Sequence, residues 1–190
     1  RDESNPLNKQ LSVYPELSVY YLAFNVKTPP FDDPNVRKAF VRAIDKEKII
    51  RGTLKGTVRP ANGIIPAGMP GFNPELKGLG YDVQAARELL ARSRYGGAAS
   101  LPPIILTTSG RGAVIPDFLS AIIQQWKQNL GVNIEVRVLE PEVFFYRINE
   151  VVDNIYDYGW IADYPDPENF LDILFHSDRP NNAGGYNNPV

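Results

Sequence analysis

Ile104-Ile105-Leu106-Thr107-Thr108, a helical stretch from Ile115 to Leu130, and Val132-Asn133-Ile134-Glu135-Val136-Arg137-Val138-Leu139 are the part of the sequence on which the fold turns. The first five residues are apolar or β-branched, the composition of a strand. Ile115, Leu119, Ile122, Ile123, Trp126 and Leu130 then recur at three- and four-residue spacing, which makes an amphipathic helix that Gly131 closes. From Val132 the pattern changes to alternation, with Ile134, Val136 and Val138 on one side of a second strand.

The flanking sequence repeats this alternation of elements. Upstream, Val19 to Val26 is a nearly continuous apolar run, the pattern of a buried strand. Asp33-Pro34 supplies an N-cap and a proline at the first helical position, and Val36, Ala39, Phe40, Ala43 and Ile44 share one face of the helix that follows. Asp45 caps a short helix with Ile49, Ile50 and Leu54, stopping at Gly56, and Asp82 caps another with Ala85, Ala86, Leu89 and Leu90. Between them, residues 59 to 80 hold four prolines and five glycines, a long loop of the kind that compact domains keep for function. Downstream, Glu140-Pro141 starts a helix bearing Val143, Phe144, Tyr146, Arg147 and Ile148. Asp157 to Ile161 forms a strand and Pro167 to Phe175 a short helix. This order predicts an α/β fold, a mixed or mostly parallel β-sheet flanked by helices. Residues 1–17 have no clear period and contain Pro6 and Pro15, so they read as a linker or a strand remnant.

Composition narrows the function classes. At 190 residues and 43% hydrophobic, the chain has room for one substantial domain without a disulfide or metal staple. A net charge of −2 gives no support for a nucleic-acid partner. The absence of cysteine excludes a thiol nucleophile and cysteine-ligated metal. No apolar run approaches the roughly 18 residues of a membrane span, and the polar start gives no signal peptide. Charge is nevertheless uneven. Residues 37 to 59 carry eight Lys or Arg against Asp45 and Glu47, whereas residues 150 to 172 carry seven acids and no base. The basic run reads as a solvated face; the acidic run is interleaved with aromatics.

That acidic run contains the candidate site, Tyr158-Gly159-Trp160-Ile161-Ala162-Asp163-Tyr164-Pro165-Asp166-Pro167-Glu168-Asn169-Phe170. It follows the carboxyl end of a strand, where ligands gather in open α/β sheets. Catalytic templates are missing: there is no G-x-S-x-G, no P-loop and no G-x-G-x-x-G. Ser109-Gly110-Arg111-Gly112 reads as a plain turn before a helix or as an anion cradle, and the single histidine, His176, as a surface or helix-end residue. Asp163, Asp166 and Glu168 admit a hard-cation reading, but no EF-hand spacing is present and Pro165 and Pro167 interrupt the loop. Asp163 and Glu168 also admit a glycosidase pair. Asp166 and Glu168 are equally well explained as a helix start. Asp163 reads either as a turn acid or as a carboxylate partly desolvated beside Trp160 and Tyr164. In the second case it needs a cation, which a ligand ammonium supplies together with a cation–π contact to Trp160.

Tyr20-Tyr21-Leu22-Ala23-Phe24-Asn25, Pro30-Phe31-Asp32-Asp33, Val36-Arg37-Lys38-Ala39-Phe40 and Ala43-Ile44-Asp45 resemble the start of one lobe in the family 5 extracellular solute-binding proteins, the oligopeptide- and dipeptide-binding proteins of ABC importers. The resemblance continues in order through Pro60-Ala61-Asn62-Gly63-Ile64-Ile65-Pro66, Gly68-Met69-Pro70-Gly71, Tyr81-Asp82, Gln125-Trp126-Lys127, Leu130-Gly131-Val132 and Gly159-Trp160-Ile161-Ala162-Asp163-Tyr164-Pro165-Asp166-Pro167. It implies a periplasmic-binding-protein-like (type II) lobe without cofactor, catalytic residue or metal. Residues 1–18 become a hinge remnant and 19–190 the C-terminal ligand-binding lobe, cut before its closing helices. The implied partners are a peptide or other small solute, the transmembrane subunits of an ABC permease, and a first lobe elsewhere in the same chain. The implied location is extracytoplasmic, in the periplasm or on a lipoprotein anchor. Carried onto this sequence, the family's ligand contacts fall on Asp163, which pairs with a peptide ammonium, and on Trp160, with Tyr164 beside them. An oligosaccharide-binding member stays open as an alternative, with Trp160 stacked on a sugar ring.

Overall fold

The strand–helix–strand unit at the centre of the sequence builds the middle of the sheet. In the computed structural model, which describes residues 4–10, 12, 14–110, 112, 114–147 and 153–188, β1 spans Ser18–Phe24, β2 Ile105–Ser109, β3 Glu135–Leu139 and β4 Ile155–Ile161. They lie in the order β1-β4-β2-β3. β2 runs parallel to both β3 and β4, and β1 pairs antiparallel with β4 from Ser18↔Ile161 to Phe24↔Ile155. The sheet is therefore mixed, as the order of elements predicts. Position corrects one expectation: β1 is an edge strand rather than a buried one. Its apolar run carries Val19 inward but leaves Tyr20 75% exposed.

Among the described residues six helices flank the sheet: α1 (Pro34–Arg42), α2 (Lys46–Thr53), α3 (Val83–Ala91), α4 (Asp117–Leu130), α5 (Pro141–Arg147) and α6 (Glu168–Phe175). The carboxylates of Asp33, Asp45 and Asp82 accept backbone N–H groups at the starts of α1, α2 and α3 at 2.7–2.9 Å, the caps read from the sequence. Gly131 ends α4 in the left-handed region at φ 75°, where a Cβ is strained. Within the N-terminal segment, Pro6–Gln10 forms a 3-10 helix. In α5 Phe144 is buried, while Val143 and Tyr146 are exposed. Ile148, counted on its apolar face, lies outside the described residues, as do Glu150 and Arg111.

The two faces of the sheet carry different cores. On one, Leu106 and Ile155 meet α1, α3 and α4 through Phe31, Phe40, Ala86, Leu119 and Trp126. Trp126 is fully buried, and its indole N–H donates to the Phe40 carbonyl at 2.9 Å. On the other face, Val19 joins Phe170 and Leu174 of α6 and Met69 of the long loop, while Phe144 of α5 covers Tyr156. The loop between α2 and α3 thus runs from one layer to the other and packs beneath α6.

Candidate functional site

Alternation along β4 sends Tyr156, Tyr158 and Trp160 to the face covered by α6. Their cross-strand partners on β1 are Ala23, Tyr21 and Val19. The result is an aromatic ladder. Tyr21 meets Tyr158 edge-on at 5.8 Å between ring centroids, and Tyr158 stacks on Trp160 at 6.5 Å and 24°. Burial holds the Tyr158 hydroxyl above the usual phenol range, and burial with the neighbouring Tyr158 does the same to Tyr21. Trp160, half-buried, packs against the same Val19–Met69–Phe170–Leu174 cluster as Ile64 and Ile65 of the long loop, so the ladder ends at the carboxyl edge of β4 with one indole beside the turn.

The chain then leaves the sheet through Ala162 to Pro167, and this turn is tied down from the start of α6. Asn169 is fully buried, and its Oδ1 accepts both the Trp160 indole N–H at 2.7 Å and the Asp163 backbone N–H at 3.3 Å. Asp166 Oδ1 accepts the Glu168 backbone N–H at 2.9 Å, the helix-start role expected of it. The Tyr164 hydroxyl donates to the Glu168 carboxylate, which raises its pKa. Pro167 lies under the long loop, 3.5 Å from where a Cβ on Gly71 would stand.

The acidic run resolves into individual roles. Asp153 is buried and accepts from Arg137 Nη1 at 2.7 Å and from the Thr107 hydroxyl. Asp157 accepts from the Thr108 hydroxyl at 2.8 Å, and burial raises its pKa against that bond. Asp172 pairs with Arg179 at 2.7 Å. Asp163 is the exception. Its carboxylate is exposed and has no hydrogen-bond or ion-pair partner among the described residues. The expectation of a partly desolvated Asp163 is therefore not met in this structure. The residue sits at the surface, beside an exposed Tyr164 and one turn from Trp160.

The three nominated residues thus share one corner of the fold, and Asn169, which links Trp160 to Asp163, was not singled out from sequence. Its only signal is a lone amide in the otherwise apolar Asn169-Phe170-Leu171 entry to α6. Elsewhere the plain readings hold. Gly110 gives its N–H to the Leu139 carbonyl at 2.9 Å, and α4 begins only at Asp117. His176 is exposed and follows α6 as its C-cap.

An aromatic wall and an unpaired carboxylate at a strand's carboxyl end suit a cationic or amphiphilic solute. The family model for bacterial extracellular solute-binding proteins, family 5, matches residues 2–182 of the chain. The oligopeptide-binding protein OppA of Bacillus subtilis (strain 168) is 32% identical over 196 residues, covering 98% of the chain and 36% of that protein. The heme-binding protein A of Haemophilus influenzae is 29% identical over 171 residues, covering 88% of the chain and 30% of that protein. Among solved structures, the unliganded open form of the periplasmic murein tripeptide-binding protein MppA superimposes with a TM-score of 0.82 at 26% identity, covering 96% of the chain and 37% of that structure. The chain therefore spans about a third of the length of the proteins it matches.

Proposed function

Because the chain belongs to the family 5 bacterial extracellular solute-binding proteins, we propose that it is part of a peptide-capturing protein of an ABC importer, with Asp163, Trp160 and Tyr164 forming one wall of the binding cleft. The observation that carries this reading is that Asp163, alone among the described carboxylates of the acidic run, has no partner and is held next to the aromatic ladder. A peptide's α-ammonium is the cation that site lacks. Trp160 lies along the first residues of the ligand and adds a cation–π contact.

In this proposal a second lobe closes over the sheet edge by a hinge through residues near 10–19, and closure supplies the desolvation that Asp163 does not have in the open lobe. The whole protein works outside the cytoplasmic membrane and hands its ligand to the permease. Its activity is binding, not turnover. No helix among the described residues is long and apolar enough to cross a membrane.

The test is Asp163→Ala in the full-length protein, with affinities for a tripeptide and for its N-acetylated form measured by calorimetry. Truncating one partner of a charge pair that becomes buried costs about 2–5 kcal/mol, or roughly 30- to several-thousand-fold in Kd. The free peptide is expected to lose that much and the acetylated one little. Equal losses for both ligands would remove the ammonium role.

A further inference from the structure

Resting on that ammonium reading, we propose that Asn169 is the positioning residue of the site: one buried amide oxygen holds the Trp160 indole and the Asp163 backbone at a fixed spacing. Oδ1 accepts from Trp160 Nε1 at 2.7 Å and from Asp163 N at 3.3 Å. Two of the three proposed ligand-facing residues, Trp160 and Asp163, therefore meet at Asn169.

Stability alone does not explain an amide at this position. Asn169 is fully buried, and its Nδ2 has no hydrogen-bond acceptor among the described residues. An unmet buried donor is destabilising, and the neighbouring α6 residues on that side, Phe170 and Leu174, are apolar. What the amide supplies is geometry. The stretch from Asp163 to Asn169 contains Pro165 and Pro167, whose fixed φ angles leave few ways to close it. Pinning its first residue to its last leaves the Asp163 carboxylate in place before a ligand arrives, and a preorganised partner loses less entropy on binding.

The experiment uses the full-length protein with ¹⁵N-labelled tryptophan, trialanine and N-acetyl-trialanine. In Asn169→Leu the Trp160 indole N–H signal is expected to shift and to exchange faster with solvent. The Trp126 signal, bonded to the Phe40 carbonyl, stays where it is and reports an intact main core. The ratio of affinities for free over acetylated peptide is expected to fall by about tenfold or more, the equivalent of about 1.4 kcal/mol. Asn169→Asp keeps an oxygen at the accepting position and is expected to restore both the indole signal and most of the ratio. It also keeps the inference testable if the leucine variant misfolds. An unchanged ratio in Asn169→Leu, in a protein where Asp163→Ala abolishes it, would overturn the positioning role and leave the ammonium site standing. A wild-type ratio near one would overturn the ammonium reading and this inference with it.

Discussion

Asp163 is distinguished less by its identity than by the occupation of its neighbours. Asp153, Asp157, Asp166, Glu168 and Asp172 each receive a donor from within the fold, so that among the described residues of the acidic run only the Asp163 carboxylate has no partner. Gly159, three residues ahead of Ala162, has a separate job. A Cβ there would stand 3.0–3.1 Å from the ring of Tyr20, its partner across the β1–β4 pair. Alanine is otherwise preferred to glycine in a strand by roughly 0.5–1 kcal/mol. Gly159→Ala is therefore expected to gain about that much in a Tyr20→Ala background and to lose most of the gain when Tyr20 is present. A denaturant-melt double-mutant cycle reads the difference; additive effects would show that the ring moves aside freely.

At the scale of elements, the helix caps join parts of the chain that are distant in sequence. Asp33 accepts the Asn35 backbone N–H at 2.7 Å to cap α1 and the Arg94 backbone N–H at 2.8 Å just beyond α3, while Arg94 pairs with Asp32. Burial pulls the Asp33 pKa upward, but the backbone donors of Arg94, Asn35 and Val36, with the Arg94 charge, outweigh it and hold the carboxylate below its usual range. A depressed folded pKa contributes stability above the unfolded value of 3.8, and that stability is lost as pH falls through the lower folded value. The wild type is thus expected to melt above Asp33→Asn at neutral pH, with the gap closing below about pH 4. A gap that stays constant from pH 7 to pH 3 would rule out the charge contribution. The caps themselves were legible because Asp-Pro and Asp followed by an apolar helical period state their mechanism locally. The exposed face of α5 was not, because helical period reports which residues are apolar and not whether a neighbour exists to cover them.

For the whole molecule, the consequential division is between the two faces of the sheet. The face bearing α1, α3 and α4 holds the large core around Phe40 and Trp126, whereas the face bearing the site rests on the smaller cluster of Val19, Met69, Phe170 and Leu174. Small clusters under long loops open first. Native-state hydrogen exchange is expected to show α6 amides exchanging through local opening, at lower free energy than those of β2 and α4. Leu174→Ala should widen that gap, and equal protection throughout would argue for a single cooperative unit. A wall of the proposed cleft on the less stable face would be able to adjust around a ligand without disturbing the sheet. By itself the sequence determined the α/β class, the helix starts and the corner of the fold to inspect, since periodicity, caps and turn residues act over a few neighbours. Only the tertiary structure decided that β1 is an edge, that five carboxylates already have partners while Asp163 does not, and that Asn169 joins Trp160 to Asp163. Those facts depend on which surfaces meet across long sequence separations and on which polar groups find a donor once they do, and no local pattern encodes either.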